Sequence, residues 1–247
     1  MNPRLALLGL FIAALPVSVE VPARNDGAQG HETRVAVAGD ISRFALVQRG
    51  CEGQVLDVVH GQLKSGAIEV EHEFPNDLVL GVRGGNVHEE IPTARSYDGP
   101  PFDARTIERD NHYVNPYVAF ETRYAGAGLG WLKADHGFLI AEYELVHPDV
   151  TGHIRFGDWR RNFAVRWMED LPLESAGYLT METSLPVSHN GELTVFTGMV
   201  GPYDGALLGL KGRIWLTPDA ALQVRAALGA HSQYTVGAGG SLRFGGR

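Results

Sequence analysis

The chain is poor in cysteine: of its 247 residues only Cys51 carries a thiol. No intrachain disulfide can form, so in an oxidising compartment the protein would owe its stability to its secondary structure alone. Any run of about twenty consecutive apolar residues is also missing after the first segment, which excludes a helical membrane protein. Clusters of lysine and arginine are absent too. The net charge is −8, a moderately acidic balance that argues against nucleic acid as a partner. No Pro-, Gly- or Ser-rich linker divides the sequence, which reads as one domain.

What is present begins with a leader. Arg4 supplies a positive start, Leu5 to Val17 an apolar core, and Val21-Pro22-Ala23 small residues suited to a signal peptidase. Residues 1–23 are therefore read as a cleavable signal peptide, residues 24–32 as a short disordered lead-in, and residues 33–247 as a single domain. An N-terminal helix of a cytosolic domain is the competing reading, and the lack of a polar face on the apolar run counts against it. With no cysteine at the cleavage point, a lipoprotein anchor is not expected.

After the leader the hydrophobic period is two. Ile68, Val70, His72 and Phe74 alternate with Glu69, Glu71 and Glu73, a pattern that no helix can turn into an amphipathic stripe. Pro75-Asn76-Asp77 then turns the chain, and Leu78, Leu80 and Val82 resume the apolar face. The alternation returns at Val114, Val118, Phe120 and Tyr124, at Leu139 to Leu145, and at Ile154 and Phe156. It continues through Phe163, Val165 and Trp167, Leu179 and Met181, Leu193 to Met199, Leu208 to Ile214, Leu222 to Leu228, and Tyr234 to Phe244. Asp219 to Leu228 contains good helix formers, but its apolar residues fall at every second position, so a strand is expected there.

The strand count is about twelve if residues 111–132 are one glycine-kinked strand and about thirteen if residues 125–128 are a turn; parity favours an even number, hence about twelve. Pro116 fits an early strand position better than a central one. Val35 and Val37 are out of phase with Phe44 and Leu46, and a β-bulge near Gly39 would reconcile them. The long connections 50–62 and 91–110 fall on one face, opposite the short turns at Pro75-Asn76-Asp77 and Pro218-Asp219.

The leader, the dyad repeat over nearly all of the remaining chain, and the ending Gly239-x-x-Leu242-x-Phe244 resemble bacterial outer-membrane β-barrels of the porin-like and OmpA-like class. In that class the chain usually stops on the last aromatic; here Gly245-Gly246-Arg247 follow Phe244. The resemblance implies an all-β, antiparallel, up-and-down transmembrane barrel in the outer membrane of a Gram-negative-type bacterium. It also implies outer-membrane lipid and the barrel assembly machinery as partners. Tyr113, Tyr124, Trp131, Trp167, Tyr178, Trp215, Tyr234 and Phe244 would supply the interfacial aromatics. A soluble periplasmic barrel or sandwich remains open at this point, with the apolar face inward and, for a barrel, a small apolar ligand inside, because period two does not say which face is inside.

If the apolar face meets lipid, the polar face lines a lumen. The residues expected there are Glu69, Glu71, Glu73, Arg83, Glu121, Arg123, Glu142, Glu144, Arg155, Arg166, Lys211, Arg213, Arg225 and Arg243. An acidic wall from the first half would face a basic wall from the second, interlocked in a constricted or plugged lumen that passes at most small solutes. Neither a cofactor nor a metal is expected. His88-Glu89-Glu90 and Asp110 with His112 are plausible ligands at spacings common by chance. Catalysis is not expected either: the nearest pairs for a barrel-embedded lipid hydrolase, His231-Ser232 and Ser188-His189, lie in turns and match no nucleophile motif.

Overall fold

The computed structural model describes residues 31–49, 52, 54–92, 106–135, 150–158, 160–167, 177–200 and 206–245. The leader, the alternating stretch 139–145, and Glu142 and Glu144 lie outside those residues. The described chain is almost all strand: β1 (Glu32–Arg49), β2 (Val55–Glu73), β3 (Leu78–Pro92), β4 (Thr106–Glu121), β5 (Ala125–Trp131), β6 (Lys133–Ala134), β7 (Val150–Gly157), β8 (Asn162–Trp167), β9 (Gly177–Ser188), β10 (Gly191–Val200), β11 (Ala206–Thr217), β12 (Ala220–Leu228) and β13 (Tyr234–Gly245). Each pairs antiparallel with its chain neighbours, and β1 also pairs with β13, so the sheet closes on itself. β5 and β6 share one register against β4, from Tyr117↔Gly130 to Tyr113↔Ala134, and count as one strand. The result is a closed, twelve-stranded, antiparallel β-barrel.

The direction of the side chains settles which face is inside. Val37, Ile68, Val70, Leu80, Val118, Phe120, Leu222, Val224, Val236, Leu242 and Phe244 all stand exposed on the outer surface. Asp40, His153, Arg155, Glu182, Ser184 and Thr235 are buried on the opposite phase. Burying charge inside while leaving large aliphatics outside inverts the usual rule for water-soluble chains. The alternating apolar face therefore points outward, not inward as a soluble barrel with that face as its core requires.

The two ends of the barrel differ. At one, both termini of the sheet meet tight turns after β2, β4, β7, β9 and β11; at the other the connections after β1, β3, β5–β6, β8 and β10 include residues beyond those described. The expected placement of long and short connections holds, but their extents do not. β2 begins at Val55, so most of 50–62 is strand, and β3 and β4 run to Pro92 and from Thr106.

Three local expectations are corrected. Residues 111–132 form two strands, because Thr122 closes a turn in which its backbone N–H donates to the Ala125 carbonyl at 2.9 Å; the glycines of β5 leave room for long neighbours rather than kinking a strand. No bulge occurs at Gly39, since β1 keeps one register with β2 from Glu32 to Gln48. Phe44 is apolar out of phase because it points inward, packing against Leu63, Val87, Tyr113 and Leu132. Pro116 sits in mid-strand, where the ladder between β4 and β5–β6 lapses between Tyr117↔Gly130 and Val114↔Lys133. A proline is tolerated where no ladder bond is asked of it.

The β7–β8 turn depends on one glycine. Gly157 has φ +103°, and a Cβ there would come within 2.4 Å of the Arg161 carbonyl oxygen. Asp158 Oδ1 accepts from the N–H groups of Arg160 and Arg161, both at 2.8 Å, to fix the turn. Gly157→Ala should therefore cost about 1–3 kcal/mol, read as a lower urea midpoint for the folded, heat-modifiable band on gels.

Candidate functional site

The interior is the candidate site, and it is built from charge pairs along the wall. On β1 to β4, Arg34 Nη2 donates to Glu69 at 3.1 Å and to Glu71 at 3.0 Å, and Arg83 donates to Glu69 at 2.8 Å. The Tyr117 hydroxyl lies 2.9 Å from Glu69 and 2.8 Å from Glu71, so its single proton is offered to one carboxylate of a pair. Further round, Glu121 accepts from Arg155 at 3.0 Å and contacts His153 Nε2 at 2.5 Å. Glu182 accepts from Arg166 at 2.7 Å and Lys211 at 2.8 Å. Arg225 grips Asp40 with two donors, Nε to Oδ1 at 2.5 Å and Nη2 to Oδ2. Arg243 pairs with Glu32 at 3.2 Å.

Several of these reach past an intervening strand, and glycine makes the passage. Tyr117 lies over Gly81, where a Cβ would come within 2.1 Å of the ring, and so reaches from β4 to β2. Gly237 plays the same part between β12 and β1: a Cβ there would fall 1.6 Å from Asp40 Oδ1. A side chain that lies flat along the wall keeps its charge paired, as a buried charge requires.

Of the residues expected in the lumen, Glu69, Glu71, Glu73, Arg83, Glu121, Arg155, Arg166, Lys211, Arg213, Arg225 and Arg243 line one internal cavity of about 340 Å³. Arg123 does not. It is exposed in the turn after β4, with its guanidinium 5.2 Å from the Tyr124 ring centre. The expected division into an acidic wall and a basic wall is corrected as well. Arg34 and Arg83 sit among the acids of the first strands, Glu182 and Glu192 among the bases of the later ones, and neutralisation is lateral. Asp40, Arg34, Glu182, Glu192, His153 and Tyr117 were missing from the expected set. For Asp40, His153 and Tyr117 the signal was a polar residue paired with a glycine on the next strand, Gly237, Gly128 and Gly81 respectively.

Other candidates fall away from the cavity. His88 Nδ1 meets Asp110 at 2.8 Å and His112 meets Asp135 at 3.0 Å, while Glu90 holds Lys64 at 2.8 Å and Glu89 is buried against Arg109. Among the described residues no group of three or more His, Cys, Asp or Glu side chains could hold a metal. His231 and Ser232 occupy a short turn after β12, both exposed, while Ser188 and His189 sit at the opposite end of the barrel. Of the expected aromatics, Tyr124, Trp131 and Phe244 stand exposed outside. Tyr113 is instead buried inside, and the side chain of Tyr178 lies outside the description.

Nearer the long connections the inner wall changes character. Ser42, Leu63, Val87, Asn111, Tyr113, Thr151, Thr180, Phe196, Leu207, Ala227 and Thr235 are all buried, and none lines the cavity. Leu63, Val87, Tyr113 and Leu132 form one apolar cluster; Phe196, Leu207 and Ala227 form a second.

No family model and no curated protein matches this chain. Solved structures do. An outer membrane channel from Pseudomonas putida F1 aligns over 93% of this chain and 100% of its own, at 8% identity and TM-score 0.55. That likeness establishes the shared barrel fold. The translocator domain of the autotransporter NalP from Neisseria meningitidis aligns over 98% of this chain and 94% of its own, at 9% identity and TM-score 0.47. Omp33 of Acinetobacter baumannii covers 88% of this chain and 100% of its own, at 10% identity and TM-score 0.39.

Arg225 and Asp40 are 10% and 2% exposed, so removing one partner strands the other. Arg225→Met alone should cost about 3–5 kcal/mol, and adding Asp40→Asn should recover much of that. A urea-unfolding double-mutant cycle in detergent measures both.

Proposed function

We propose that this chain is an integral outer-membrane β-barrel with a passive role, structural or solute-permeating, around a narrow lumen lined by charge. The observation that carries the reading is the inversion of the surface: aliphatic and aromatic side chains cover the outside while paired charges fill the inside. Lipid is the solvent in which that arrangement is stable, and a closed barrel satisfies every ladder hydrogen bond without water. The barrel fold shared with an outer membrane channel agrees with it.

In this reading residues 1–23 direct export, the assembly machinery inserts the barrel, and the outer membrane is its location. The termini and tight turns face the periplasm, the longer connections the exterior. Within the lumen the charges pair along the wall around a cavity of about 340 Å³, which supports a constricted passage for small solutes over a wide diffusion pore. No covalent chemistry or cofactor is invoked.

Membrane fractionation and electrical recording test the two halves of the proposal. The protein should remain in a carbonate-resistant pellet and show heat-modifiable gel mobility; release with the periplasmic fraction would overturn the membrane reading. In planar bilayers it should show at most a small conductance, and a large, steady, weakly selective one would overturn the narrow lumen. Val236→Arg, on the outer face at 56% exposure, should lower stability in lipid by about 2–4 kcal/mol if placed near the midplane. A neutral effect of that substitution would contradict contact with lipid.

A further inference from the structure

The cavity and the two apolar clusters divide the inner wall along the barrel axis. Cavity-lining residues stop at Asp40 in β1, Ala67 in β2, Tyr117 in β4, Lys211 in β11 and Gly237 in β13. In each of these strands that leaves the cavity in the part nearest the termini and tight turns. Charges there retain access to solvent: Arg34, Glu71 and Arg243 are 25%, 23% and 29% exposed. Beyond them the inner wall is dry, with Val87 at 0% and Thr235 at 3%. Apart from the Glu89–Arg109 pair it is also nearly uncharged, and its hydroxyls satisfy one another, as Ser42 and Thr235 do at 2.9 Å.

From this division we infer that the permeation barrier is the uncharged belt on the long-connection side, and that the charged cavity is a vestibule open to the periplasm. The inference rests on the membrane reading above and assigns the two functions of its lumen to different residues. The charged rows are the weaker barrier to a hydrated ion or polar solute, because groups in them offer a hydrogen bond or a counter-charge in place of lost water. The two apolar clusters of the belt offer neither, and an apolar constriction closes by excluding water. Phe196 and Leu207 on one wall and Leu63 on another are the barrier residues. The vestibule, balanced in sign, admits small polar solutes from the periplasmic side and holds them below the barrier.

Conductance of the full-length barrel in planar bilayers, recorded in potassium chloride, separates the two regions. Phe196→Ser or Leu207→Ser should raise the conductance several-fold over the parent, whereas Arg243→Gln, at the end of the vestibule away from the belt and 29% exposed, should change ion selectivity with a smaller effect on magnitude than any belt substitution. Heat-modifiable mobility confirms that each variant is folded, and Leu63→Ser on the other wall serves if the first two fail to fold. A rise with Arg243→Gln and none with the belt substitutions would reverse the assignment; no rise in any folded belt variant would refute it. Failure of the underlying reading looks different, since a parent barrel with a wide, steady conductance or a protein released from membranes would show itself before any substitution is made.

Discussion

Closure of the sheet is the constraint on which everything else depends. Twelve residues of β1, from Glu32 to Arg43, pair in unbroken register with β13, from Gly245 to Tyr234. With that seam made, the sheet has no edge strand left without a neighbour. Only then can the outer face carry a band of apolar side chains such as Val37, Ile68, Val118 and Val236, because the backbone donors across that band are paired within the sheet. Across that band the polar side chains turn to the interior, where Asp40, Arg155 and Glu182 are buried. Pairing along the wall follows from that confinement.

The period of two made the fold class readable, since it needs only the polarity of successive residues. Twelve strands were also expected, though by a compensation: residues 111–132 are two strands where one was expected, and 139–145 falls outside the described residues. A single sequence shows the phase of each strand but not which face closes inward. Phe44 illustrates the difficulty. Its apolar side chain breaks the phase of β1 because it joins an internal cluster with Leu63 and Tyr113, and polarity alone invited a bulge instead. Arg34 and Asp40 share that strand and were lost with its phase.

The charged interior was legible in part for a related reason. Charges opposite an apolar face, such as Glu69 or Lys211, declare themselves by alternation. Which charge meets which depends on register between strands far apart in sequence; Asp40 and Arg225 are separated by 185 positions. The expected acidic and basic walls came from summing charge along the chain, whereas the barrel mixes its halves strand by strand. Glycines at Gly81 and Gly237 decide these meetings, and their value lies in the side chain they leave out. Arg123 failed for the opposite reason: it keeps the alternation, but its strand has already ended at Glu121.

The clasp of Arg225 on Asp40 across Gly237 spans the three strands β12, β13 and β1, and so straddles the seam. Backbone hydrogen bonding in a ladder is indifferent to a slide of two residues, which returns every side chain to its own face. The clasp is not indifferent. Such a slide would move Asp40 away from Gly237, to face Gly239 or Thr235, while Arg225 stays paired with Gly237 on β12, and so would leave a carboxylate and a cation dehydrated apart. The seam thus carries its own error check: the last strand can lock against the first in one register, and a barrel closed in another would reopen.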